Sequence, residues 1–313
     1  MQTLTVEPAV LSSVADRLDE LAARRYVNPE VLRRCLADLE QSWFGGIAAE
    51  RAKMRLRQLT AIVEANDLMP ALERDRLNRE RFAGHPSLER LSLYLGRSDA
   101  VLMGFDPAGD GRLIVAFGDP DTCRNVATFV PGAGSSLDDI GGELQRALAL
   151  RERAGSDTAV IMWLGYDAPD FADAMFQKAA RQAAEPLRQF QAGLVATHDG
   201  EIGQLTVIGH SYGSVVIGVA ERDGDLAAHD LVALGSPGMG VAQASQLRDP
   251  TQVWSSTAIN DPIRLAAGPL HGTDPWQLMF GGNTFASAPH GHSGYFRPDN
   301  PALDSLAKIV TGS

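Results

Sequence analysis

Gly209-His210-Ser211-Tyr212-Gly213 sets a serine between two glycines where a β-prone run, QLTVIG at 204–209, gives way to a helical stretch at about 212–222. A serine hydroxyl becomes a nucleophile only when the chain exposes it and a base removes its proton. The G-x-S-x-G spacing supplies the exposure. A turn this sharp forces Ser211 into strained backbone angles, and side chains at 209 or 213 would collide with the adjoining strand and helix. The helix N-terminus behind the serine favours negative charge developing there. The same five residues could also serve as a plain strand-to-helix turn, so their meaning depends on their partners.

A serine base needs an acid to orient it, and behind such an elbow the chain order is Ser, then Asp or Glu, then His. Asp261 lies in STAINDPIRL, just past a β-prone run at 252–259, where a loop would carry it to the elbow. An aspartate before Pro262 also fits a simple turn. Downstream lie His271, His290 and His292, the last two in APHGHSGYF ahead of a final helix. Position favours His292, then His290, then His271, and the choice among them leans partly on the resemblance described below. His290-Gly-His292 has no carboxylate or cysteine at ligand spacing, so no metal is expected there. The tetrahedral intermediate also needs backbone N–H donors. Tyr212 follows the serine, and VPGAGSSLDD at 130–139 offers Ala133 between Gly132 and Gly134. A phosphate loop would need Gly-Lys-Ser/Thr, which is missing, and the glycine spacing does not suit a dinucleotide. No cofactor is implied.

These groups need a scaffold that brings strand ends together. DAVLMGFDPAGDGRLIVAFGD reads as a β-hairpin around Pro-Ala-Gly-Asp-Gly. Apolar runs follow at 126–130, 158–165, 204–209, 229–235 and 252–259, and helical stretches at about 137–154, 171–196 and 212–222 separate the first four. Strands apolar on both faces, with helices between them, predict a mostly parallel sheet in an α/β fold with an antiparallel hairpin strand. Residues 1–95 read instead as an all-α module. Leu32, Cys35, Leu36, Leu39 and Trp43 recur at helical spacing after Asn28 and Pro29, and Ile47, Met54, Leu59, Ile62 and Val63 repeat the pattern after Gly45-Gly46. The expected organisation is a helical module over 1–95, with a hairpin around Trp43–Gly45, and a catalytic domain over 96–313.

From about Leu88 onward, GDPDTCRNVATFVPGAGSS, VIMWLGYDAPD, VIGHSYGS, LGSPGMGV and GHSGYF resemble an actinobacterial α/β-hydrolase family long catalogued as a domain of unknown function. The resemblance implies an α/β-hydrolase fold, Ser211 as nucleophile, Asp261 as acid and His292 as base. It also implies that Gly165-Tyr166-Asp167-Ala168-Pro169 lies near the active site. Trp43-Phe44-Gly45 is similar to the Trp-x-Gly turn of small helical-hairpin proteins exported by type VII secretion. Tyr26-Val27-Asn28-Pro29-Glu30 has the letters of the matching export signal but precedes the hairpin, where that signal is not expected.

Composition narrows the partners. Basic and acidic residues number 28 and 39, a net charge of −11, which disfavours nucleic acid and anionic membranes. The opening MQTLTVEPAVLSSVADRLDE has neither the basic n-region nor the apolar h-region of a Sec signal, and no run approaches the about 18 apolar residues of a membrane span. A cytoplasmic protein without stable membrane insertion is the default expectation, with a type VII-like route as the alternative. Cys35 and Cys123 lie far apart and outside any metal-type spacing. The sequence therefore predicts a serine hydrolase acting on a small or lipid-like ester through Ser211, His292 and Asp261. Tyr166, Trp163 and the 262–290 loop are candidates to line its pocket. A thioesterase or amidase on the same residues stays open, as does a non-catalytic binding or secretion-associated protein on a hydrolase fold. The front helices leave three roles open: a lid, a homodimer element, or a handle for type VII secretion machinery.

Overall fold

In a computed structural model the described residues are 68–248, 252–265 and 270–313. The chain divides into two compact units, Met1–Pro70 and Ala71–Ser313. The helical hairpin expected around Trp43–Gly45 lies outside the described residues.

The second unit is built on an eight-stranded sheet: β1 (Ala100–Asp106), β2 (Arg112–Phe117), β3 (Asn125–Val130), β4 (Thr158–Leu164), β5 (Gln204–His210), β6 (Asp230–Leu234), β7 (Val253–Ser256) and the two-residue β8 (Asn283–Thr284). Their spatial order is β1-β2-β4-β3-β5-β6-β7-β8. β2 runs antiparallel to both neighbours, and all other pairings are parallel. Every residue of β3, β4 and β6 is buried, which is why they read as unbroken apolar runs. The expected antiparallel hairpin is β1–β2. β8 is invisible in the sequence pattern, because two residues carry no alternation to detect.

Before the sheet come α1 (Ala71–Arg81), α2 (Pro86–Arg90) and α3 (Ser92–Leu95), and between and after its strands come α4 (Gly141–Ala154), α5 (Lys178–Thr197), α6 (Tyr212–Asp223) and α7 (Pro301–Thr311). The compact unit thus begins ahead of the boundary expected at residue 95. α1 is tied to β1 by polar contacts, the Leu102 amide donating to Asp75 (2.6 Å) and Asn78 Nδ2 to the Leu102 carbonyl (3.0 Å), and to the loop after β2, where Asp121 accepts from the Ala71 amide (2.6 Å). The helix expected from 171 starts instead at Lys178. Residues 171–177 form a loop with one short 3-10 turn at Asp173–Met175.

The topology fixes where a site can form. The crossover through α4 carries the chain from β3 outward to β4, and the crossover through α5 carries it back past β3 to β5. Right-handed crossovers in opposite directions put their helices on opposite faces. The segments leaving β3 and β5 therefore diverge, and a crevice opens at the carboxyl ends of these adjacent strands. α4 packs with α7, and α5 packs with α6.

α6 illustrates how tightly the layers meet. Gly218 lies in its interior, where alanine would ordinarily favour helix by about 1 kcal/mol. A Cβ at Gly218 would sit 2.0 Å from the Met239 carbonyl oxygen, part of the loop after β6. Gly218→Ala should therefore reverse the usual sign and destabilise by about 1–3 kcal/mol, as overpacking does. Chemical denaturation of wild type and variant checks this.

Candidate active site

Ser211 joins β5 to α6 with φ 53° and ψ −126°, one of two non-glycine residues with positive φ among the described residues. Backbone contacts hold it there: its amide donates to the Leu234 carbonyl (2.9 Å), and its carbonyl accepts from the Ser214 amide (3.0 Å) and hydroxyl (2.6 Å). Both glycines of the motif are forced by space. A Cβ at Gly209 would lie 2.5 Å from the Ser214 nitrogen, and one at Gly213 would lie 2.2 Å from the Val130 carbonyl oxygen.

The loop after β3 presses on the same turn. A Cβ at Gly132 would approach the Ser211 Cβ to 2.8 Å and its hydroxyl to 3.3 Å, so only glycine leaves the hydroxyl free. Tyr166 secures this loop from behind. Its ring is buried against Trp163 and its hydroxyl donates to the Pro131 carbonyl (2.8 Å). The Gly134 amide donates to the Pro169 carbonyl (2.9 Å), tying 165–169 to the glycine loop. Tyr166 and Trp163 were candidates to line the pocket; they form its support instead, because their polar and flat surfaces are consumed by the backbone and each other. Asp167 is exposed on the same loop, away from the cavity wall.

Asp261 is buried on the loop after β7 and collects donors. His292 Nδ1 lies 2.9 and 3.0 Å from its two oxygens, the Tyr295 hydroxyl donates at 2.5 Å, and the Ile263 amide donates at 2.9 Å. Burial pushes this carboxyl up, but the donors from His292, Tyr295 and Ile263 outweigh it and hold it below the usual carboxylate range. Since a carboxylate only accepts, Nδ1 of His292 carries the proton of this hydrogen bond.

The other two histidines go elsewhere. His290 faces Asp299 at 3.3 Å. His271 donates from Nε2 to the Ala174 carbonyl (2.7 Å) and forms part of the cavity wall. Of the three, only His292 meets Asp261.

Several supporting residues carried no signal as motif letters. Tyr295 donates to Asp261 and accepts from the Ala258 amide (3.1 Å), yet in GHSGYF it reads as one more core aromatic. Asn260 bridges the acid loop to the histidine loop, donating to the Pro289 carbonyl (2.8 Å) and accepting from the Gly291 amide (3.0 Å). Asn300 caps α7 and also accepts from the Ala288 amide and donates to the Gly294 carbonyl. Only its capping role is written in the pattern Asn-Pro before a helix. His210 fills the variable position before the serine. Its Nε2 donates to the His292 carbonyl (2.7 Å), and burial, with Arg146 and His292 nearby, pushes it down to about 3.

Ser211 and His292 share the wall of a cavity of about 370 Å³. Ala133, Tyr212 and His271 complete its base, and Phe171, Met175, Pro237, Ile263 and Leu270 give it an apolar side. Among the described residues no three His, Cys, Asp or Glu side chains gather as a metal site, and no helix is long and apolar enough to cross a membrane.

A mostly parallel sheet carrying a sharp serine turn after β5, with an aspartate after β7 and a histidine before the last helix, defines the α/β-hydrolase fold. The chain belongs to the alpha/beta hydrolase family, whose profile matches residues 106–270. It is 36% identical over 261 residues to an uncharacterized Mycobacterium tuberculosis protein, an alignment covering 69% of this chain and 40% of that relative. It is 37% identical over 205 residues to an uncharacterized Mycobacterium bovis protein, covering 60% of this chain and 72% of the relative. The chain therefore spans less than half the length of the first of these. Among solved structures it is similar to the esterase LipW from Mycobacterium marinum (TM-score 0.46, 14% identity, 75% of this chain and 89% of that chain). A Pyrobaculum calidifontis esterase gives TM-score 0.46 and 13% identity, over 76% and 92% of the two chains.

Two measurements check this geometry. Tyr295→Phe keeps the ring but removes a donor to a buried carboxylate, and should cost about 1.5–3 kcal/mol in chemical denaturation. His210 is neutral in the fold down to about pH 3 but protonates near 6.5 when unfolded. The unfolded state then binds more protons across that window, so stability falls as pH drops below 6.5. His210→Gln keeps a donor for the His292 carbonyl and removes this proton, so its stability should fall less steeply between pH 6 and 4, by up to about 1.4 kcal/mol per pH unit. Parallel slopes would contradict the assignment.

Proposed function

We propose that the protein is a serine hydrolase that cleaves a carboxylic ester through a covalent acyl-enzyme. The observation that carries the proposal is the juxtaposition at one cavity wall: a strained serine beside a histidine whose Nδ1 is committed to a buried aspartate. Family membership supports the reaction class.

In this reading His292 Nε2 takes the Ser211 proton as Oγ attacks the ester carbonyl carbon. The carbonyl π electrons move onto oxygen, and the Tyr212 and Ala133 amides stabilise the oxyanion. Tyr212 begins α6, so its amide has no acceptor within the helix. Collapse of the intermediate expels the alkoxide, which takes the proton from His292. Water then repeats the sequence on the acyl-enzyme, with His292 again as base, and Ser211 is released with its proton restored. Asp261 fixes the tautomer and stabilises the imidazolium without itself being protonated. An alkoxide leaves with less assistance than an amine, which favours an ester over an amide.

A panel of p-nitrophenyl esters graded by chain length tests the reading. Ser211→Ala should lose at least about 10⁴-fold in kcat, and Asp261→Asn about 10³–10⁴-fold. His290→Ala should stay within about twofold, because this half-buried side chain is paired with Asp299 and does not line the cavity. Undiminished turnover in Ser211→Ala, or loss in His290→Ala equal to that in His292→Ala, would overturn it.

A further inference from the structure

Eleven large hydrophobic side chains are exposed among the described residues, and eight come from two segments, Phe171 to Phe176 and Ile259 to Met279. These segments follow β4 and β7, and each sends side chains to the cavity wall, Phe171 and Met175 from the first and Ile263 and Leu270 from the second. Scattered exposed apolar residues need no explanation, but a patch joined to a binding cavity does. Phe171 is 80% exposed and Met175 53%, yet both also line the cavity over Ser211. Leu270 does the same from the opposite segment. Phe176, next to Met175, is 62% exposed and Leu265, two residues past Ile263, is 92% exposed, and neither lines the cavity.

The cavity itself carries no Asp, Glu, Lys or Arg on its wall. A substrate with a carboxylate, phosphate or ammonium beside its ester would find no counter-charge there. Exposed charges at and beside the rim carry both signs, Asp167, Asp170 and Asp173 against Lys178 and Arg264, while the whole chain is at −11. It is this net charge that would disfavour an anionic surface.

We infer that the rim docks on the surface of an aggregated, uncharged ester and that the cavity is filled from that phase. The inference rests on the ester-hydrolase reading and adds to it how substrate arrives. A protein seated on Phe171, Met175 and Leu270 would block the cavity over Ser211, whereas an aggregate of the substrate covers the rim and feeds the cavity together. Covering the rim removes apolar surface from water, a gain that a dissolved ester molecule is too small to provide.

The test uses the full chain with tributyrin, followed by pH-stat across its solubility limit, and dissolved p-nitrophenyl acetate as the monomeric probe. Wild type should gain at least about tenfold in rate when the emulsion forms, equivalent to about 1.4 kcal/mol of added binding. The double variant Phe176→Ser/Leu265→Ser lies outside the cavity wall. It should keep its p-nitrophenyl acetate rate within about twofold and lose that gain, while Leu93→Ser, an exposed leucine on α3, should keep both. Wild type active on p-nitrophenyl acetate but with no gain at the emulsion would overturn the inference and leave the ester reading standing. Wild type inert on both would overturn the ester reading itself. Sedimentation showing a dimer that the double variant loses, with no gain at the emulsion, would assign the rim to a second copy of the chain and also overturn the inference.

Discussion

The site depends on how closely two backbone segments approach at the crevice between β3 and β5. Gly213 brings α6 against the Val130 carbonyl, and Gly132 brings the β3 loop against Ser211. Between these contacts Ser211 is held at φ 53° and ψ −126°, a conformation costing about 1–3 kcal/mol for a residue with a side chain. The Leu234 carbonyl and the Ser214 amide and hydroxyl secure it. Ser211 lines the cavity together with Ala133 and Tyr212.

The second half of the arrangement is built on a single carboxylate. Asp261 is surrounded so closely that Gly235, after β6, must lack a side chain: a Cβ there would lie 2.8 Å from Oδ2 and 3.0 Å from the Tyr295 hydroxyl. Asn260 and Asn300 then fix the loop that carries His292. The neutral His210, its ring 4.8 Å from that of His292, donates its proton to the His292 carbonyl and adds no charge beside that ring. Ser211 and His292 thus come from separate segments, the turn after β5 and the loop before α7, and hydrogen bonds to backbone groups hold both.

Much of this was legible in the sequence because it is written in glycines and in order along the chain. The elbow, the glycine loop and the serine–aspartate–histidine order are local patterns on strands that are apolar throughout, and such strands are easily seen. Choosing His292 over His290 was harder, since two histidines separated by one glycine differ only in where the loop points them. Tyr166 and Tyr295 were visible as aromatics, but their hydroxyl partners lie across the sheet and leave no periodicity. The start of the compact unit was hidden for a similar reason. α1 is held by Asp75 and Asn78 on β1 rather than by an apolar stripe, so its helical pattern does not announce its partner. The apolar rim is a property of two loops together, and neither loop alone reads as unusual.

The central claim is that this geometry makes Ser211 a nucleophile dependent on His292, and site-resolved covalent labelling addresses it most directly. The full chain would be treated with a fluorophosphonate, its intact mass measured and the adduct located by peptide mapping. The account predicts one adduct, on Ser211, formed at a similar rate in His290→Ala and slowed by orders of magnitude in His292→Ala. A folded protein that takes up no label, or carries it on another residue, would contradict the account.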